Sequence, residues 1–94
     1  MNIHAFWLVL LGFSSLAVGA AKPELAAESL KKGNAWLDKG EFDSAIAAFT
    51  EAIRIKPRFA QAYSGRGSCY RMKGEKVKAE EDFARAKKLG YKPK

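Results

Sequence analysis

A fixed 34-residue period runs through residues 22–94 and constrains the fold more than any other feature of the chain. When the sequence is shifted by 34 positions, ten of the 39 overlapping residues from 22 to 60 are identical. Self-similarity at a period of this size is typical of stacked supersecondary units that bury a shared core. We therefore predict two copies of one unit, residues 24–57 and 58–91, followed by a basic tail at 92–94. The identical pairs are Lys22/Lys56, Pro23/Pro57, Ala26/Ala60, Gly33/Gly67, Lys39/Lys73, Gly40/Gly74, Glu41/Glu75, Ala45/Ala79, Phe49/Phe83 and Ala52/Ala86.

Each unit is predicted to consist of two helices separated by a glycine. Apolar residues between 42 and 53 recur at helical spacing, and Gly40 and Gly74 suit the left-handed conformation that ends many helices. The expected helices cover 24–39, 42–55, 58–72 and a last segment that ends at Leu89. Pro57 is expected to end the second helix, and it can serve as a first-turn residue of the third, where a missing backbone N–H costs nothing. The predicted fold class is all-α, in two tandem helix-turn-helix units.

Small residues flank a phenylalanine in the second helix of each unit. Ala45, Phe49 and Ala52 step by four and three residues, so they lie along one stripe of the helix. We expect the alanines to set the distance to the partner helix, while the phenylalanine fills the space between the two backbones.

This pattern resembles the tetratricopeptide repeat, a 34-residue helix-turn-helix unit. The resemblance covers residues 26–91 and implies a short right-handed superhelical array that acts as a non-catalytic protein-interaction module or adaptor. It also places Trp36 and Tyr70 in the core. The first copy supplies Gly33, Trp36, Ala45, Phe49, Ala52 and Pro57, and the second supplies Tyr63, Gly67, Tyr70, Ala79, Phe83 and Ala86.

The second copy departs from the pattern at several positions. Arg66 stands where the family has Leu, and Tyr91 stands where it has Pro. Three positions that are apolar in the first copy are Glu80, Asp82 and Lys87 in the second. Because charged side chains would not be covered by a further repeat, we expect them to give the second unit the character of a cap.

The resemblance also implies a ligand site on the concave face formed by the first helix of each unit. An extended peptide or a helix would dock there on a ridge of residues spaced by three and four. In the alternative interpretation, the leucines of the ridge are ordinary partly buried residues or pack against a second protomer of a homodimer. Some relatives grip a carboxylate with paired Lys, Asn and Arg; only Asn34 matches that arrangement, so such a clamp is not expected. The candidate peptide-binding residues are Leu30, Asn34, Leu37, Gln61, Ser64, Ser68 and Arg71.

The net charge of +7 comes from the second half of the chain. Residues 22–57 carry six basic and six acidic side chains, whereas residues 58–94 carry eleven basic and four acidic ones. A basic excess of this kind favours an anionic partner such as a membrane or an envelope polysaccharide; its alternative is a solvated polar face. Nucleic acid is not favoured, because exposed aromatics are not interleaved with the basic residues. The candidate anion-contacting residues are Lys73, Lys76, Arg85, Lys87, Lys88 and Lys92.

The first twenty residues are typical of a signal peptide. Residues 5–21 carry no charge and end in small residues, with a cleavage pattern at Val18-Gly19-Ala20. We therefore expect an exported protein, periplasmic or secreted. The alternative is a retained membrane anchor, although 17 residues at 1.5 Å each are short for a hydrocarbon core of about 30 Å.

Residue types that carry chemistry are scarce. The one histidine, His4, lies in the expected leader, there is no CxxC pair, and Gly65-Arg66-Gly67 falls within a helical pattern rather than between a strand and a helix. We expect no enzyme activity and no catalytic, cofactor-binding or metal-binding residues. Cys69 is the only cysteine and aligns with Ala35. It is expected to be buried between helices, with an intermolecular disulfide as the alternative.

Overall fold

The computed structural model describes residues 22–92, which form four helices and no strand. The helices are α1 (Pro23–Asp38), α2 (Phe42–Ile55), α3 (Ala60–Met72) and α4 (Lys76–Lys88). The predicted all-α class with two helices in each unit is confirmed. The predicted leader at 1–20 and the end of the basic tail lie outside the described residues.

The helices pack in the order of the chain. Within each unit α1 contacts α2 and α3 contacts α4, and the two units meet where α2 contacts α3. A smaller contact joins α1 to α3. Helix α2 therefore lies at the centre of the stack, between α1 of its own unit and α3 of the second unit.

Glycines end three of the four helices in the left-handed region. Gly40, Gly74 and Gly90 have φ angles of +76°, +84° and +95°, values that side chains with a Cβ rarely adopt. The predicted roles of Gly40 and Gly74 are thereby confirmed. Pro57 follows the end of α2 at Ile55, as predicted, but it lies in a turn before α3, which begins at Ala60, and not in the first turn of that helix. Pro23, by contrast, does occupy the first turn of α1.

Phe49 is the centre of the hydrophobic core. Its side chain is fully buried, and the flanking Ala45 and Ala52 are buried as well. A Cβ built on Gly33 of α1 would lie 2.6 Å from the Phe49 ring, and one built on Gly65 of α3 would lie 2.5 Å from it. The ring is therefore held between two helix backbones that approach it only because both contact residues are glycines.

Charge placement in the second unit differs from expectation at one residue. Glu80 and Lys87 are exposed, but Asp82 is only 6% exposed. It does not face outward as an end-capping charge, because Arg66 of α3 holds it between the two helices of the unit. Asp82 is thus a core residue with an ionic partner.

The expectation that Trp36 is a core residue is wrong. Its side chain is 39% exposed, and the ammonium of Lys39 lies 5.4 Å from the ring centroid. Tryptophan is large and therefore rarely buried in full, and the outer part of this indole stays in solvent. Tyr70, at the equivalent position, is partly buried.

Between residues 22 and 92, no helix combines the length and the apolar character that crossing a bilayer requires.

Candidate functional site: a groove and an adjoining end pocket

A cavity of about 290 Å³ lies between α1, α3 and the residues after α4; we call it the groove. Five of the seven candidate peptide-binding residues line it, drawn from both repeats. All of its lining side chains are uncharged. They are Leu30, Asn34, Gln61, Ser64, Gly65, Ser68 and Tyr91.

Helical spacing and one glycine build this groove. Leu30 and Asn34 are four residues apart on α1, and Ser64 and Ser68 are four apart on α3, so each pair lies on one face of its helix. Gly65 lets α3 approach the Phe49 ring of α2, and α3 also contacts α1. The result is a channel with amide and hydroxyl groups from two helices.

These polar groups suit recognition of a peptide main chain. The amides of Asn34 and Gln61 each offer donors and acceptors, and the hydroxyls of Ser64 and Ser68 can do both as well. Among residues 22–92 no buried side-chain nitrogen or oxygen lacks a hydrogen-bond partner.

Two candidates lie outside the groove. Leu37 is partly buried and packs against the core cluster around Phe49, as the alternative interpretation of the ridge leucines has it. Arg71 is exposed and lines a second cavity. Leu30, by contrast, packs against the core and also lines the groove.

The second cavity, of about 900 Å³, lies at the far side of the second repeat; we call it the end pocket. Its floor is apolar, with Phe83 and Ala86 from α4, and the guanidinium of Arg71 lies 5.2 Å from the Phe83 ring centroid. Ser64 and Ser68 form the border with the groove. The full lining is Ser64, Ser68, Arg71, Phe83, Ala86, Lys87, Gly90, Tyr91 and Lys92.

Tyr91 lines both cavities and was not predicted as a site residue. The positive φ of Gly90 turns the chain back after α4, and the Tyr91 N–H donates a hydrogen bond to the Ala86 carbonyl at 3.0 Å. The signal in the sequence was the replacement of the repeat's proline by an aromatic residue directly after a glycine.

Three of the six candidate anion-contacting residues, Arg85, Lys87 and Lys88, line one cavity together with Glu81 and Ala84. Lys73 pairs with Asp43 and Glu75, and the hydrogen bond that its ammonium donates to Asp43 raises the pKa of Lys73. The guanidinium of Arg85 lies 5.7 Å from the Tyr63 ring centroid. Of the six, only Lys87 and Lys92 line the end pocket. Lys76 and Lys88 are exposed on α4.

An ion pair between the two helices of the second repeat is also absent from the sequence-based predictions. Nε and Nη2 of Arg66 donate to the two carboxylate oxygens of Asp82 at 2.8 and 2.9 Å, and Nη1 donates to the Thr50 hydroxyl at 3.2 Å. The hydrogen bonds that the guanidinium donates to this carboxylate raise the pKa of Arg66. The signal was a double departure, because Arg66 and Asp82 replace residues of the repeat pattern sixteen positions apart on facing helices.

Cys69 is fully buried and free, as predicted, in the cluster that joins α2 and α3. Ala35, its counterpart in the first repeat, is exposed, because no described helix packs on that side of α1. The small residue at this position thus serves the contact between repeats.

Burial should make the thiol of Cys69 inert. Desolvation raises its pKa, so the thiol stays protonated near neutral pH and the reactive thiolate is scarce. We expect a thiol-specific reagent such as dithionitrobenzoate to label the folded chain far more slowly than the chain in denaturant. Equal labelling rates in the two states would show that Cys69 is accessible.

Within residues 22–92 no group of three or more His, Cys, Asp or Glu side chains could hold a metal ion.

Comparison with known proteins identifies the repeat. The tetratricopeptide repeat family matches residues 30–91. The Hsp70-Hsp90 organizing protein 1 of Glycine max is 42% identical over 48 residues, 51% of this chain and 8% of that protein. Stress-induced-phosphoprotein 1 of Caenorhabditis elegans is 40% identical over 47 residues, 50% of this chain and 15% of that protein.

A third relative matches a longer stretch. The E3 ubiquitin-protein ligase CHIP of Arabidopsis thaliana is 38% identical over 64 residues, 67% of this chain and 23% of that protein. This chain therefore spans less than a quarter of the length of each of these relatives. The matches support a protein–protein interaction module. The chain belongs to the tetratricopeptide repeat family.

Proposed function

We propose that this chain is a protein-interaction module that binds an extended peptide of another protein in the groove. One observation carries the proposal: side chains from both repeats line a single cavity, and four of them, Asn34, Gln61, Ser64 and Ser68, are uncharged hydrogen-bonding groups. A peptide main chain presents alternating N–H and C=O groups, which such side chains can satisfy. One relative is named an Hsp70-Hsp90 organizing protein, and another is named a stress-induced phosphoprotein.

The absence of charge among the groove residues defines the recognition mode. A carboxylate would need a basic side chain beside it to repay its desolvation, and the lining residues of the groove include none. The groove therefore favours an internal, uncharged stretch of peptide. Leu30 at one wall supplies apolar contact for a side chain of the ligand.

Site-specific photo-crosslinking tests the proposal. The full chain is produced in its native host with a photoreactive residue at Gln61, which lines the groove but not the end pocket. The control places the same residue at Ala47, which is exposed on α2 and lines neither cavity. We expect a discrete protein adduct from position 61 only.

A second substitution in the same chain makes the result specific. Asn34→Ala removes one hydrogen-bonding group of the groove, so the adduct at position 61 should fall about fivefold, which corresponds to roughly 1 kcal/mol for one hydrogen bond. Because Asn34 is exposed, the fold should be unaffected. Adducts of equal yield from positions 61 and 47, or a yield independent of Asn34, would refute the proposal.

A further inference from the structure

The end pocket of the second repeat corresponds, one period later, to a surface of the first repeat. In the first repeat that surface is covered by α3. On the first repeat, α3 packs over α2 and buries Phe49 completely. On the second repeat, the equivalent Phe83 is partly exposed and forms the floor of the end pocket. Ser64, Ser68 and Ala86 of its lining correspond to Leu30, Asn34 and Ala52, one period earlier. The end pocket therefore lies at the repeat position where, in the first repeat, a helix packs.

The contact of α3 with Phe49 indicates which residue such a helix must present. Gly65 is the contact residue on Phe49, and a Cβ at that position would lie 2.5 Å from the ring. A helix that approaches Phe83 in the same way needs a small residue, best a glycine, at the point of contact.

Charge is the feature in which the two surfaces differ. Two residues that pack on the core in the first repeat, Leu37 and Ile53, are replaced one period later by Arg71 and Lys87. With Lys92 these residues give the pocket three cationic side chains beside the apolar Phe83 and Ala86, and no acidic residue lines it. An apolar helix would leave these charges without partners, whereas carboxylates would pair with them.

We propose that the end pocket binds an acidic helix of a partner protein. The helix sets a small residue against Phe83 and directs carboxylates toward Arg71, Lys87 and Lys92. This site adjoins the peptide-binding groove of the proposed function and shares Ser64, Ser68 and Tyr91 with it, but Phe83 and the three cations do not line the groove. Each of the two proposals can therefore be tested without the other.

A second copy of this chain does not meet these requirements. The helix of a second copy that corresponds to α3 is α1, and one period before Gly65 it carries Lys31. A lysine would meet Phe83 where the geometry calls for a glycine, and its charge would add to the cations of the pocket. The chain as a whole has a net charge of +7, so two copies also repel each other.

A peptide based on α3, the helix that packs on the equivalent surface of the first repeat, serves as the probe. A fluorescein-labelled peptide of residues 59–73 keeps Phe59, Ala62 and Gly65, the face that packs on the first repeat. Glutamates replace its arginines, and alanines replace Gly67 and Cys69 to raise helix propensity and remove the thiol. The substitutions are Arg66→Glu, Gly67→Ala, Cys69→Ala and Arg71→Glu. Binding to the full chain is followed by fluorescence anisotropy.

Two matched peptides and three protein variants complete the test. The unmodified basic peptide and an acidic peptide with Gly65→Leu should both bind more weakly than the acidic peptide. Lys87→Glu in the protein should weaken binding about tenfold. Lys76→Glu makes the same charge change on α4 outside the pocket and should have little effect. Asn34→Ala, which impairs the groove, should have none.

Binding that is saturable, selective for the acidic peptide and dependent on Lys87 would support the proposal. Absence of saturable binding would overturn it, as would equal affinity for the basic peptide or equal loss in the Lys76→Glu and Lys87→Glu variants. If sedimentation of the full chain instead shows a dimer that Lys87→Glu dissociates, the occupant is a second copy and the proposal of an acidic partner helix is wrong.

Discussion

Replacing Phe49 by alanine should cost about 3–5 kcal/mol of unfolding free energy, which is enough to unfold most of the chain. Phe49 is fully buried, and six of the nine buried hydrophobic residues among 22–92 are alanines. Few other large side chains can therefore take over its contacts, and a domain of this size has a core worth only about 3–5 kcal/mol. Far-UV circular dichroism with urea unfolding measures the change.

Phe83→Ala is the matched control for this prediction. Phe83 occupies the same position in the second repeat, but it is partly exposed because no described helix covers it. The same substitution should therefore cost clearly less there, and the variant should keep most of its helical signal. Equal losses at the two positions would mean that the contact between repeats adds nothing to the burial of Phe49.

Gly65→Ala probes the same contact from the other side. Its added methyl group would clash with the Phe49 ring, which Gly33 blocks on the opposite face. Overpacking of this kind costs about 1–3 kcal/mol, against a gain of about 1 kcal/mol in helix propensity. Gly65→Ala adds a methyl group against the Phe49 ring, and Phe49→Leu removes that ring. The changes in unfolding free energy caused by the two substitutions should therefore be non-additive.

Removal of Asp82 should be the second severe change. Asp82→Ala leaves the Arg66 guanidinium, whose side chain is 19% exposed, without its carboxylate between two helices. Breaking such a pair costs about 3 kcal/mol, the lower end of the range for buried pairs. Urea unfolding of the full chain measures the loss. Glu51→Ala, which breaks the exposed pair with Arg54, is the control and should leave the midpoint unchanged.

A double variant separates the cost of the unpaired charge from the worth of the pair. Arg66→Leu together with Asp82→Ala replaces the ion pair by apolar residues, and Leu is the residue that the repeat pattern has at position 66. Buried pairs replaced in this way are often neutral or stabilising, so the double variant should recover to within about 1 kcal/mol of the parent chain. A double variant as unstable as Asp82→Ala alone would show that the pair itself stabilises the contact between α3 and α4.

Much of the candidate site followed from spacing alone. Residues 30 and 34 on α1, and 61, 64 and 68 on α3, share helix faces because their spacing is close to the helical period. Leu37 and Arg71 continue the same ridge in the sequence, but Leu37 is drawn into the core and Arg71 reaches over Phe83. Tyr91 could not be placed from spacing, because the backbone turn at Gly90 rather than a helix positions it.

The sequence by itself determined the local organisation: all-α class, four helices, and glycine-ended turns at fixed positions in each repeat. These features depend on residues close in the chain, so a 34-residue period is sufficient to predict them. Only the tertiary structure decided which face of each helix is covered. Cys69 and Ala35 share a repeat position, yet one is fully buried and the other exposed. The physical reason is that burial depends on the neighbouring repeat, and two copies of one pattern have different neighbours.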